Sequence, residues 1–334
     1  MRGTPEQPAL TDPFEIGGIE ISNRVLLAPL AGIGNWFVRL QAKRHGAGLV
    51  VSEMVSSFGL HHRNERTLRE LLRIHPDEHP VSVQLFGHDP DVMRSGAAIA
   101  AEAGADLIDI NMGCPVRKVR KTGAGAELLR DHDLALALAR GAAEGSGLPV
   151  TVKLRSGIEA GDRSGFDLAV RLAEEAGVAA IAFHPRAATV GHKGSPDYAL
   201  TRELSESVGV PVIVSGGLKS AAAARAAYAE SGADAVMIAR GSLGNPWVFE
   251  ELTGRRRAEP PSRAEVVAEL LWTIDRAEEH LGTERAGRYL RKFYPWYMEP
   301  LGAGPELADE LQRSADLPRA RRLIGDLATP VASL

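Results

Sequence analysis

The chain has 334 residues, 44% of them apolar, and a formal net charge of −4 at pH 7. That length and apolar share are enough for one large core with a small appended unit, and the charge excludes a protein that coats nucleic acid over its whole surface. A single cysteine excludes an internal disulfide; without zinc-spaced Cys/His sets, a long apolar run or a signal-peptide pattern in residues 1–12, no metal, no membrane and a reducing, cytoplasmic setting are expected.

Short runs rich in Val, Ile, Leu and Ala recur at 25–30, 49–52, 81–86, 107–111, 150–154, 180–184, 212–215 and 235–239. Between them, segments 36–45, 91–103, 131–144, 166–176, 198–207 and 220–231 carry apolar residues at helical spacing. Continuous apolar strands alternating with amphipathic helices are the pattern of a parallel sheet covered on both faces. Eight such units predict an α/β chain folded as a (β/α)8 TIM barrel. An open doubly wound sheet is the alternative, but it carries a Gly-rich turn after its first strand, and Ala28-Pro29-Leu30-Ala31-Gly32 lacks that fingerprint.

After Phe249 the pattern changes. Residues 255–261 (RRRAEPP) read as a charged, proline-stiffened linker, and Ser262 with Glu265 forms a capping box that opens a helix. Helical spacing continues through 264–281, 284–294, 306–314 and 318–327. The expected division is a catalytic barrel over residues 1–254 and a small C-terminal all-helical domain over residues 255–334.

Active sites of such barrels lie where the strands end. Those ends offer Pro29, Glu53, Gln84, Asn111 with Cys114, Lys153 with Arg155, His184, Ser215-Gly216-Gly217 and Ala239-Arg240-Gly241. Polar residues at strand ends are partly what any turn requires, yet a Gln, a thiol, a Lys and a His directed at one mouth are not. Cys114 lies between Gly113 and Pro115 on a sharp turn, with Arg117, Lys118, Arg120 and Lys121 following. Nearby positive charge favours thiolate character, whereas a free cysteine on an unremarkable turn merely fills space.

The glycine turns after the seventh and eighth strands suit a phosphate held by backbone N–H groups, with Arg240 adding charge. A phosphorylated heterocycle then fits the mouth. Lys153 can stabilise negative charge on a reduced flavin ring, and the Gln84 amide can both donate to and accept from the ring edge. Lys153 can equally form a Schiff base, as in aldolases of this fold, although that chemistry leaves Cys114 without a role. Reduction of a carbon–carbon double bond does use it, as the general acid that protonates one carbon while hydride reaches the other.

Taken in order, Ala28-Pro29-Leu30-Ala31-Gly32, Ser52-Glu53-Met54-Val55, Val83-Gln84-Leu85-Phe86-Gly87, Asp109-Ile110-Asn111-Met112-Gly113-Cys114-Pro115, Val152-Lys153-Leu154-Arg155 and Arg240-Gly241 resemble the tRNA-dihydrouridine synthase family from about residue 14 to 249. The most specific element is Asn-x-Gly-Cys-Pro followed by Lys121-Thr122-Gly123-Ala124-Gly125-Ala126. The resemblance implies an enzyme that uses FMN and NADPH to reduce the C5–C6 bond of uridine in tRNA, with Cys114 as proton donor. It further implies that Pro29, Leu30, Gln84, Lys153 and His184 contact the flavin and that Gly216, Gly217, Arg240 and Gly241 hold its phosphate. Asn111 and Arg155 would then flank the uracil. The family pattern differs at Gly34-Asn35, His184-Pro185-Arg186, Ser215-Gly216-Gly217 and Arg291-Lys292-Phe293, where Thr-Asp, His-Gly-Arg, Asn-Gly-Asp or Asn-Gly-Glu, and Arg-Lys-His are usual.

Arg285, Arg288 and Lys292 share one helical face and are interleaved with Tyr289, Phe293, Tyr294, Trp296 and Tyr297. The cations suit RNA phosphates, while the aromatics either stack on bases or form the core of the helical unit. Arg117 and Lys121 would meet phosphates beside an extruded uridine. A flavin oxidoreductase of a small pyrimidine-like substrate, and a non-catalytic RNA-binding barrel, are the competing readings. The basic helix after residue 284 counts against the first, and the intact Cys114, Lys153, Gln84 and His184 count against the second.

Overall fold

The computed structural model describes residues 7–328; residues 1–6 and 329–334 of the two expected domains lie outside the described residues. An antiparallel hairpin comes first, β1 (Phe14–Ile16) and β2 (Ile19–Ile21). The barrel strands follow as β3 (Val25–Leu27) and β4 (Leu49–Val51), a two-residue rim strand β5 (Val55–Ser56), then β6 (Val81–Phe86), β7 (Leu107–Met112), β8 (Val150–Arg155), β9 (Ala180–His184), β10 (Val212–Ser215) and β11 (Ala235–Ile238). Every barrel pairing is parallel, and β4 pairs with both β3 and β6, so the sheet closes into an eight-stranded TIM barrel.

Period-two alternation sorts each strand. In β7, Leu107 faces an interior cluster with Leu26, Leu49 and Ala180, whereas Ile108, Ile110 and Met112 face the surrounding helices. The hairpin closes the N-terminal end, with Ile16 and Ile21 fully buried in that interior cluster. Toward the other end of the strands the inward positions turn polar, at Gln84, Asp109, Asn111, Thr151 and Lys153.

All six anticipated barrel helices form within two residues of the expected bounds, several started by side-chain caps such as Asp89, Asp131 and Ser220. The first barrel strand ends at Leu27, three residues early, because Pro29 has no N–H to give to a ladder. The rim helix Ser57–His61 was not anticipated.

The C-terminal part comprises Arg263–Leu281, Thr283–Leu290, Tyr294–Met298, Pro305–Arg313 and Leu317–Asp326. Its first helix opens on the expected Ser262–Glu265 capping box. The helix expected over 284–294 stops at Leu290 and restarts at Tyr294, since Pro295 fits only the first turn of a new helix. These helices share a core with the barrel: Trp36, Phe37 and Leu40 lie in one cluster with Val266, Leu270, Ile274, Phe293 and Tyr297. Gln41 reinforces that seam, its Nε2 donating to Glu269 Oε1 at 2.9 Å and to the Tyr297 hydroxyl at 3.1 Å. Among the described residues no helix is long and apolar enough to cross a membrane.

Candidate active site

A cavity of about 290 Å³ opens at the C-terminal ends of the barrel strands. Pro29, Gln84, Asn111, Cys114, Lys153, Arg155, His184, Gly216, Gly217, Arg240 and Gly241 all line it. Leu30 does not: its side chain is buried with Trp36 and Phe37 in the core beneath, because its carbonyl accepts the Ile33 and Gly34 N–H groups and turns the chain inward. Three basic lining residues were not among the sequence candidates, Arg186, His192 and Lys219. Arg186 lies just past the end of β9 and Lys219 just past the glycine turn after β10, which is the signal available for them, whereas His192 lies in a long loop without any pattern. Among the described residues the lining carries five cationic side chains and no carboxylate.

The floor is a hydrogen-bonded polar layer. Asp109 accepts from Gln84 Nε2 and from Thr151 Oγ1, both at 2.6 Å. Asn111 Nδ2 donates to Gln84 Oε1 at 2.9 Å, and Asn111 Oδ1 accepts the Cys114 N–H at 2.9 Å. The carbonyl of Cys114 accepts from Ala126 N, so the half-buried thiol is carried on a turn held from both sides. Arg155 ties this turn to the loop after β9. Its Nε donates to Gly113 O, its Nη1 to Ala187 O and Gly191 O, and its Nη2 has no protein partner among the described residues.

Burial dominates the electrostatics. It lowers Lys153 to about 8, with Arg155 acting in the same direction and Asp109 opposing. Lys153 makes no side-chain hydrogen bond among the described residues, so its ammonium has capacity for a ligand. Burial, reinforced by Lys153, Arg155 and Arg186, holds His184 far below the usual imidazole range and hence neutral. Burial raises Asp109 above the ordinary carboxyl value, against the Gln84 and Thr151 hydrogen bonds.

One corner is built for close approach. Gly216 and Gly217 have φ of +95° and +82°, and a Cβ at Gly216 would lie 2.3 Å from the His184 ring. Glycine is therefore required there for both conformation and space. A Cβ at Gly241 would meet the Leu218 carbonyl at 2.4 Å. Lys219 and Arg240 are exposed beside these turns and join no ion pair among the described residues, and Arg186 Nε is buried without a partner. Free cations, a glycine cradle and an amide-lined floor together fit a flat heterocycle carrying a phosphate. Among the described residues no group of three or more His, Cys, Asp or Glu side chains is arranged to hold a metal ion.

The residues expected to meet RNA phosphates do not line this cavity. Arg117 and Lys121 are exposed on the helical turn after Cys114. Arg285 is held by both oxygens of Glu70 at 2.9 Å, Arg288 pairs with Glu284, and Lys292 Nζ donates to Gly32 O at 2.7 Å. These three line a second cleft of about 430 Å³, between the C-terminal helices and the barrel loops bearing Gly32 and Glu53. Of the two roles open to the aromatics, the core role holds for Phe293, Tyr294 and Tyr297, each 3% exposed or less. Tyr289 and Trp296 pack at the edge of the same cluster, with the Tyr289 hydroxyl bonded to Asn35 Nδ2.

Residues 26–326 match the family described as Dihydrouridine synthase (Dus). The chain is 35% identical to the tRNA-dihydrouridine synthase B of Xanthomonas axonopodis pv. citri, over 96% of this chain and 93% of that protein. It is 36% identical to the protein of the same name from Pseudomonas aeruginosa, over 90% of this chain and 91% of that one. Among solved structures, morphinone reductase in complex with tetrahydroNAD superposes with a TM-score of 0.54 at 18% identity, over 76% of this chain and 93% of its own. The old yellow enzyme homologue from Zymomonas mobilis gives 0.56 at 16%, over 74% and 93%. At those identities the two structures speak for the fold alone.

Proposed function

Because the chain belongs to the dihydrouridine synthase family, we propose that it reduces the C5–C6 bond of uridine in tRNA to dihydrouridine, using bound FMN and NADPH as reductant, in the cytoplasm. The observation that carries this reading is the cavity with five cations, no carboxylate and a glycine cradle in a chain of net charge −4. FMN, when bound, supplies the hydride that reaches one carbon of the uracil double bond.

The chain's own groups do the rest. Gly216, Gly217 and Gly241 allow backbone to approach the phosphate, and Arg240 neutralises it, with Lys219 as a second cation. Gln84 and Lys153 meet the polar edge of the ring, where the ammonium opposes developing negative charge. Pro29 and the neutral His184 bound the ring's space. Cys114 Sγ gives its proton to the second carbon as general acid. Asn111 holds the turn that presents the thiol, and Arg155 Nη2 is the donor left for the base. Arg117 and Lys121 contact phosphates next to the extruded nucleotide. Arg285, Arg288 and Lys292, on the C-terminal helical part, contact phosphates farther along.

The test is an absorption spectrum of the purified protein, followed by anaerobic addition of NADPH and then of unmodified tRNA. Flavin bands should bleach with NADPH and return with tRNA. Cys114→Ala should still bleach and fail to recover, and full recovery in that variant would remove the thiol from the chemistry. Bleaching of the unaltered protein that tRNA never reverses would overturn the assignment of substrate.

A further inference from the structure

We propose that Asp109 is a positioning residue that sets the direction of a hydrogen-bond chain running from the barrel interior to the Cys114 turn. The four groups in that chain are Asp109, Gln84, Asn111 and the Cys114 backbone, and the first three side chains are 2%, 0% and 8% exposed. The role given to Cys114 as proton donor rests on the reading above; the geometry of the chain does not.

The two ends of the chain cannot reverse, and the two links between them can. An amide side chain turned by 180° exchanges its donor for its acceptor at nearly the same positions. Two amides in series, Gln84 and Asn111, therefore admit opposite polarities unless something outside them chooses. At one end the Cys114 N–H is donor only, at 2.9 Å from Asn111 Oδ1, with the Gly113 N–H on the same oxygen at 3.3 Å. At the other end Asp109 Oδ2 accepts from Gln84 Nε2 at 2.6 Å, and the carboxylate in its ionised form has no proton to give back. Both ends demand the same order: Asp109 accepts from Gln84, Gln84 accepts from Asn111, and Asn111 accepts from the turn. The reversed order would set an amide NH2 against two backbone N–H groups at one end and an amide oxygen against a carboxylate at the other.

Thr151 keeps the carboxylate itself from turning, by donating to its second oxygen at 2.6 Å. Ser52 Oγ anchors Gln84 independently through its backbone N–H at 2.9 Å, so the Gln84 side chain has no reason of its own to prefer one amide orientation. Without an acceptor at 109 the Gln84 nitrogen is buried and unpaired, and flipping both amides relieves that at the expense of the Cys114 turn.

The single cysteine makes the coupling measurable. Selective 15N labelling of cysteine yields one amide resonance, and its exchange with deuterium reads the Asn111–Cys114 hydrogen bond in the full chain as purified. Asp109→Leu, branched like aspartate but without an acceptor, should speed that exchange about tenfold or more, while the Val212 and Val214 amides of β10, read in a separate 15N-valine sample, exchange as before. Asp109→Asn can present its oxygen to Gln84 and its nitrogen to the Thr151 hydroxyl oxygen, so it should leave the rate within about twofold of the original. If Asp109→Leu does not accumulate folded, Asp109→Ala is read in the same way. An unchanged Cys114 rate in the folded acceptor-less variant, or equal acceleration in the Asn and Leu variants, would overturn the proposal. Because the measurement uses neither RNA nor turnover, its outcome is separate from that of the uridine-reduction assay.

Discussion

Replacing Gly216 by alanine tests the flavin corner most directly. The new Cβ would lie 2.3 Å from both Cδ2 and Nε2 of His184, where carbon contacts ordinarily begin near about 3.5 Å, so the ring or the turn must give by roughly 1 Å. A side chain at positive φ costs about 1–2 kcal/mol, and overpacking a fixed neighbour costs about 1–3 kcal/mol, which makes about 2–5 kcal/mol in all. His184 is otherwise enclosed, and the open space beside it is the cavity. Moving the ring that way relieves the strain by filling the place assigned to the flavin. Only about 1.4 kcal/mol expressed in binding is a tenfold change, so FMN Kd should rise tenfold or more. Titrating flavin-stripped protein with FMN, followed by quenching of flavin fluorescence, measures it. Gly147→Ala is the control: φ is +65° with nothing within 4 Å, so it should lower thermal stability and leave FMN affinity untouched. A Gly216→Ala protein that binds FMN as tightly as the original would refute the placement of the flavin at this turn.

Burial holds Lys153 at about 8 against 10.5; the unfolded chain binds more protons between those values, so the stability of the flavin-free protein should rise with pH across that window. Lys153→Met should raise the Tm of the flavin-free protein near neutral pH, flatten that rise and weaken FMN binding, and a lowered Tm would contradict the burial cost. Arg39 Nε meets Glu78 Oε2 at 2.5 Å with the two side chains 1% and 0% exposed. Arg39→Met should therefore cost about 3–5 kcal/mol in urea unfolding, and a loss below about 1 kcal/mol would show that the pair is not what stabilises the loop after β5. Replacing Arg285, Arg288 and Lys292 by alanine should weaken tRNA binding and reduce the salt slope by about 1–3. The reduction should fall nearer the lower figure, because Glu70, Glu284 and the Gly32 carbonyl already engage all three. Fluorescence anisotropy over a salt series decides it, and an unchanged slope leaves these three residues a purely structural role.

Much of the scaffold was readable from local pattern. The eight apolar runs announced a barrel because strands buried on both faces must be apolar at nearly every position. The Ser262–Glu265 box marked a helix start because its two hydrogen bonds form within four residues. Cys114 stood out by its turn, and Gly216-Gly217 by their place after a late strand; both signals lie within a few residues of chain. The side-chain direction of Leu30 was not legible because it depends on how Gly34 folds back onto it, and the aromatic run at 289–297 stayed ambiguous because core and exposed rings have the same spacing on a helix.

What the order of residues determined by itself was periodicity: which segments form the barrel strands and the helices between them, and which polar residues stand at the strand ends. What only the tertiary structure decided was partnership between distant segments. Lys292 is spent on a carbonyl 260 residues away, Arg285 on Glu70, and Arg155 on loops near Gly113 and Ala187, while Lys219 and Arg240 line the cavity without an ion pair among the described residues. Burial period is a property of neighbours along the chain, but a hydrogen bond or an unpaired charge depends on distances of a few ångströms that exist only once the barrel has closed.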